Sequence, residues 1–308
     1  PASGGTALPF VNKDSDMAKK IAVSMGVPDG NIQVLKNSSL TANGMGNAIT
    51  ALKNKISDGD KVFLYYSGHG GQDNGRGGSK CSEFLVGHDK QPYWDSDLQL
   101  SLEALGQKAS QIVMLNDSCF SGGASTKSAS RELSDSIPKY YEIDKSITAD
   151  SNSNYQCGDA INKGTSRALE AVSRKRTAQI LYVAASSDME FSNGNRDGSY
   201  GTLAWLSCLT NGAADQDGNG IVDGAELRSC AQSIINSRYR GIQTITLTGN
   251  SLLPLSFTSN STTGNTASAP VQNPQGVLES ISAGSSPLMK VDLTVANPRL
   301  KIGQDLLD

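Results

Sequence analysis

The chain has 308 residues, with 27 Lys and Arg against 30 Asp and Glu, a formal net charge of -3 and 37% hydrophobic residues. That length accommodates one α/β domain with appendages, while the slight acidity and the lack of interleaved basic and aromatic residues argue against nucleic-acid binding. No apolar stretch approaches the length of a membrane-spanning helix.

In chain order, the thin apolar run Ala7-Leu8-Pro9-Phe10-Val11 offers at most a short strand, and Met17, Ile21 and Met25 then fall on one helical face. Ile32-Gln33-Val34-Leu35 reads as a strand. Thr41 is placed to cap a second helix, whose apolar face carries Met45, Ile49, Leu52 and Ile56. A third helix carries Leu98, Leu102 and Leu105, and Ile180-Leu181-Tyr182-Val183-Ala184 reads as a further buried strand.

Two motifs about fifty residues apart carry chemistry. The first is Val62-Phe63-Leu64-Tyr65-Tyr66-Ser67-Gly68-His69-Gly70-Gly71, and the second is Ile112-Val113-Met114-Leu115-Asn116-Asp117-Ser118-Cys119-Phe120-Ser121-Gly122-Gly123. Each is an apolar run of strand length that stops at a reactive side chain followed by glycines, the way a parallel sheet presents groups at its carboxyl edge. One strand offers an imidazole, the other a thiol. The chain has two histidines, and His88 lacks the glycine setting of His69, so the expected nucleophilic pair is Cys119 with His69. A thiol of pKa near ~8.5 is little ionised at neutral pH and needs such a neighbour.

Tyr66-Ser67-Gly68-His69-Gly70 and Asp117-Ser118-Cys119-Phe120-Ser121-Gly122 closely resemble the two catalytic motifs of the caspase-like cysteine peptidases, particularly the metacaspase and orthocaspase type and their bacterial relatives. The resemblance extends over roughly residues 14–257. It implies a caspase-like sandwich, an α/β fold with a mostly parallel central sheet flanked by helices. It also implies attack on a peptide carbonyl by Cys119, protonation of the leaving amine by His69, and an oxyanion hole made by the backbone amides of Gly70 and Cys119.

In metacaspases an acidic pocket receives lysine or arginine, and the matching positions here are Asp16, Ser67 and Asp117, with Asp14 a close alternative to Asp16 and a plain helix cap the competing reading for either. Ser186, in the Ala185-Ser186-Ser187 turn after the 180–184 strand, is a further substrate-binding candidate. The implied function is cleavage of protein or peptide substrates after Arg or Lys, with self-processing in the long segment 124–178, where Arg174-Lys175-Arg176 is a candidate site. The alternative is a noncatalytic caspase-fold calcium-binding or scaffolding module.

Calcium enters through Asp215-Gln216-Asp217-Gly218-Asn219-Gly220-Ile221-Val222-Asp223-Gly224-Ala225-Glu226, which matches the calcium-loop template. The expected Ca2+ ligands are Asp215, Asp217, Asn219, the Ile221 carbonyl, Asp223 and Glu226. A helix follows with Leu227, Cys230 and Ile234 on one side.

The domain reading is a peptidase domain over 1–257, a Ser, Thr, Asn, Gly and Pro-rich linker over 258–286, and a segment over 287–308 that begins a β-domain or docks onto the peptidase; its alternating 289–295 stretch reads as a strand. Caspase-like domains usually open with an apolar strand, and residues 1–13 supply little of one. The five cysteines allow two disulfides with Cys119 left free, or reduced thiols throughout. Composition tilts the setting toward a bacterial periplasm or secretion rather than the cytoplasm.

Overall fold

Strands that are apolar at successive positions need both faces covered, and the runs at 62–66, 112–115 and 180–184 are of that kind. The computed structural model describes residues 7–73, 82–119, 135–141, 178–187 and 190–256, and the backbone of 289–294. In chain order, α1 (Val11–Ser24) leads to β1 (Ile32–Lys36), α2 (Ala42–Lys55) and β2 (Lys61–Ser67). A small antiparallel sheet of β3 (Gly70–Asp73), β4 (Ser82–Val86) and β5 (Pro92–Trp94) precedes α3 (Asp95–Leu105) and β6 (Gln111–Asp117). Then come β7 (Ile137–Pro138), β8 (Gln179–Ala184), β9 (Asn193–Asn195), β10 (Gly198–Ser199), α4 (Tyr200–Thr210), α5 (Gly224–Arg238), β11 (Thr246–Gly249) and β12 (Met289–Thr294).

The central sheet has the order β1-β12-β2-β6-β8-β11, parallel except for β11. Alternation sends Leu64, Tyr66, Ile112 and Met114 to the face covered by α2 and α3, where they meet Met45, Ile49, Leu98 and Leu102. The intervening Phe63, Tyr65, Val113 and Leu115 meet Ile21 of α1, Trp205 of α4 and Leu227 of α5 on the other face. The fold is therefore the expected α/β sandwich with a mostly parallel sheet between helices. Thr41 caps α2 as its position implies, its hydroxyl accepting the Gly44 N–H at 2.9 Å.

At the amino end the described residues hold no opening strand of the kind usual in caspase-like domains. Residues 7–10 form a turn and Val11 already begins α1. The place between β1 and β2 is taken by β12, which pairs in parallel with both, Leu35 and Tyr66 each standing opposite Leu293. Residues 124–134, 142–177 (with Arg174-Lys175-Arg176), 257–288 and 295–308 lie outside the described residues. Cys208 and Cys230 form a disulfide joining α4 to α5, Cys119 is a free buried thiol, and Cys81 and Cys157 lie outside the described residues. No helix among the described residues is long and apolar enough to cross a membrane.

Candidate active site

Strands β2 and β6 pair in parallel with Ser67 opposite Asp117, so His69 and Cys119 leave the sheet edge side by side, each two residues beyond that pair. The backbone of His69 is pinned there, its carbonyl accepting the Val86 N–H at 3.0 Å and the Tyr66 hydroxyl at 2.8 Å. Gly70 follows directly, and a Cβ at this position would overlap the carbonyl oxygen of Cys119. Only glycine lets these two loops close on one another.

Under this edge sits a buried acidic pocket. Asp117 Oδ2 accepts the Thr202 N–H and hydroxyl, both at 2.7 Å, at the amino end of α4, where the helix presents its positive pole. Gly201 permits the approach, since a Cβ on it would lie 2.9 Å from Asp117 Oδ2. Asp117 Oδ1 accepts the Ser192 hydroxyl at 2.6 Å. Asp14 Oδ1 accepts the Ser199 N–H at 2.8 Å, and its Oδ2 accepts the Ser67 hydroxyl at 2.6 Å and the Ser199 hydroxyl. Both carboxylates are fully buried.

The pocket holds a basic side chain from the same chain. Lys139 is fully buried, and its ammonium donates to Asp117 Oδ1 at 2.8 Å, the Asp117 carbonyl at 2.7 Å and Ser67 Oγ at 2.8 Å, with Asp14 Oδ2 at 3.8 Å. All three ammonium donors thus have partners, a condition for burying a lysine, whose unpaired charge would cost several kcal/mol. Burial pushes the Asp14 carboxyl up from its ordinary value; Lys139 opposes that and the nearby Asp117 adds to it. Emptied of the ammonium, the pocket would hold two carboxylates with no counter-charge.

The main chain around Lys139 is also held. Its N–H donates to the Ser192 carbonyl at 2.9 Å and its carbonyl accepts the Gly70 N–H at 3.0 Å. The sulfur of Cys119 donates to the Ser192 carbonyl at 3.3 Å and accepts the Ser192 N–H at 3.1 Å. Burial pushes this thiol up to about 12, against the lowering effect of the Ser192 N–H and of Lys139. A thiol raised in the folded state stabilises the fold fully below its unfolded value of ~8.5 and loses that contribution as pH rises towards 12. The unfolding midpoint of the uncut chain is therefore expected to fall across that window, and to fall less in Cys119→Ala. Equal slopes in melts of the two proteins between pH 8 and 11 would contradict this.

Of the residues expected at the site, His69, Gly70, Ser67, Asp117 and Cys119 are brought together. Asp16 is not: it is exposed and pairs with Lys36 at 3.0 Å. Because α1 begins at Val11, Asp14 shares the inward face with Ala18 and Ile21, and Asp16 points outward with Lys19. Asp14, the alternative, occupies the pocket. Ser186 is buried next to it, but its hydroxyl donates to the Ser118 carbonyl at 3.4 Å. Ser192, Ser199 and Thr202 are further pocket residues; they lie in the segments 185–192 and 198–202, which the family resemblance makes one wall of the cleft, but their individual roles are not marked in the sequence.

The acidic loop between α4 and α5 brings carboxylate oxygens of Asp215, Asp217 and Glu226 within 4.8 Å of one another. Asp215 Oδ2 accepts the Gly220 N–H at 2.9 Å, Asp217 Oδ1 the Asn219 N–H at 3.0 Å, and Asn219 Oδ1 the Ile221 N–H at 2.7 Å. Asp223 caps α5 and exchanges hydrogen bonds with Glu226.

The sequence matches the caspase domain family over residues 5–236. The chain belongs to the caspase-domain family. That family is one of cysteine peptidases. The chain is also similar in fold to the crystal structure of a protein from Geobacter sulfurreducens, with a TM-score of 0.50 and 17% identity over 77% of this chain and 83% of that one. No significant match was found among curated proteins. Within the caspase domain, α4, which holds Asp117 through Thr202, is also the helix that leads into the acidic loop.

Proposed function

We propose that this caspase-domain protein is a cysteine endopeptidase that cuts after lysine or arginine, with Cys119 as nucleophile and His69 as proton carrier. The observation that carries the reading is the ammonium of Lys139 between Asp117, Ser67 and Asp14 while the carbonyl of the same residue accepts the Gly70 N–H. A basic side chain in the pocket and a carbonyl held by the Gly70 amide are thus supplied by one residue. A pocket for aspartate would need a cation in place of these carboxylates.

In the reaction, His69 accepts the thiol proton as sulfur adds to the carbonyl carbon, and the Gly70 amide stabilises the oxyanion. His69 then gives the proton to the leaving amine, and water releases the acyl group. Fluorogenic peptides ending in lysine and arginine are expected to turn over, those ending in aspartate are not, and Cys119→Ala is expected to abolish turnover. Hydrolysis of aspartyl peptides alone would reject the pocket assignment, and no turnover with an inert Cys119 would favour the noncatalytic scaffold.

The reading extends to calcium at Asp215, Asp217, Asn219, Ile221, Asp223 and Glu226. It is supported by the convergence of the carboxylates of Asp215, Asp217 and Glu226, whose mutual repulsion a divalent cation would relieve. Because the loop joins the helix of Thr202 to α5, occupancy is expected to raise peptide turnover by steadying the Asp117 wall. Calorimetry should record calcium binding in the wild type and its loss in Asp215→Ala, and turnover should fall on chelation. The disulfide between Cys208 and Cys230 supports an oxidising setting such as the periplasm or the outside of the cell.

A further inference from the structure

We infer that the bond between Lys139 and Tyr140 is the one this enzyme cuts in itself, with the segment 137–141 lying in the cleft as a substrate. This rests on the reading of the site as a peptidase for basic residues, and it moves self-processing away from Arg174-Lys175-Arg176. Three sets of contacts carry it.

On the side before the bond, β7 adds to β9 antiparallel, Ile137 opposite Gly194 and Pro138 opposite Asn193. This is how an extended peptide is gripped through its main chain. Ile137 packs on the buried cluster of Leu8, Phe10 and Val11. At the bond itself, the Lys139 carbonyl accepts the Gly70 N–H and the Gly70 carbonyl accepts the Tyr141 N–H, each at 3.0 Å. The Lys139–Tyr140 peptide is therefore bracketed by the two polar groups of one residue, adjacent in sequence to His69. The Ser192 carbonyl accepts both the Lys139 N–H at 2.9 Å and the Cys119 thiol at 3.3 Å, which ties the residue before the bond to the nucleophile. Beyond the bond, the Tyr140 ring lies 5.7 Å from that of Phe191, and Tyr141 is buried with Phe84, Val86 and Trp94.

The step balances within the chain and water. A bond forms between Cys119 Sγ and the Lys139 carbonyl carbon, the carbon–nitrogen bond to Tyr140 breaks, and the thiol proton passes through His69 to the new amino group of Tyr140. Water then supplies hydroxyl to the Lys139 carbonyl and a proton to sulfur. Before the cut, the pocket is closed to any other basic residue, so the uncut chain is self-inhibited.

The test is intact mass measurement and amino-terminal sequencing of the purified chain under reducing, denaturing conditions, beside a peptide assay. Wild type is expected to give a fragment ending at Lys139 and one beginning Tyr140-Tyr141. Cys119→Ala should remain whole, Lys139→Arg should be cut at the same bond, and Lys139→Gln should be spared there. In a mixture with active wild type, Cys119→Ala should stay uncut at 139–140, since that bond is buried in its own cleft. Wild type that hydrolyses lysyl peptides while its 139–140 bond stays whole, or Lys139→Gln cut as fast as wild type, would overturn the inference and leave the peptidase reading standing. A chain neither cut nor active on any peptide would overturn both.

Discussion

Asp117→Asn is expected to lower kcat/KM for lysyl peptides by about 200- to 5,000-fold, because removing one partner of a buried ion pair costs about 3–5 kcal/mol. The amide keeps an oxygen for the Thr202 N–H and hydroxyl, so α4 should stay in place and circular dichroism should be unchanged. What is lost is the charge nearest the ammonium, 2.8 Å away. Asp14→Asn should cost less, since Asp14 stands 3.8 Å from the same nitrogen and already has its carboxyl pushed up by burial. Steady-state kinetics on lysyl peptides with the two variants would rank them, and an unchanged kcat/KM in Asp117→Asn would remove the pocket from the mechanism.

The second large effect is expected at Gly70. Gly70→Ala would drive a methyl group into the carbonyl oxygen of Cys119, with Ser118 Oγ only 3.0 Å away, and the backbone would have to turn the Gly70 N–H from its target. Loss of one oxyanion donor lowers kcat by about 10²- to 10³-fold. Turnover at saturating lysyl peptide should fall by that factor. The self-processed fragments should fall with it, because the same N–H holds the Lys139 carbonyl. A variant with wild-type kcat would show that the amide takes no part.

The pair His69 and Cys119, and with it Ser67 and Asp117, is legible in sequence because each motif is local and the parallel register of β2 with β6 does the rest. The helices α2 and α3 are legible for the same reason, their apolar faces repeating at helical spacing. Asp14 is not separable from Asp16 in this way. Helix α1 starts at Val11 with Phe10 at its N-cap position and no side-chain cap, so no capping residue marks where it begins and its face cannot be phased from the amino end. Lys139 is hidden for a different reason: its pocket is assembled from β2, β6, α1 and the turn before α4, segments far apart in the chain, and the lysine stands among other basic residues of a polar stretch. The local hint is the apolar island Ile137-Pro138 and Tyr140-Tyr141 on either side of it. The 289–295 alternation announces a strand, but alternation carries no information about which neighbours that strand will choose.

The insertion of β12 between β1 and β2 sets an order on manufacture. Those two strands are made early, yet they touch each other only through a strand more than two hundred residues downstream of Ser67. At the ~5–20 residues per second of translation, the sheet edge that carries His69 waits on the order of tens of seconds for its missing neighbour. A nascent chain still on the ribosome therefore holds both reactive motifs without the finished sheet beneath them. The finished edge beneath His69 comes only once residues 289–294 have been made.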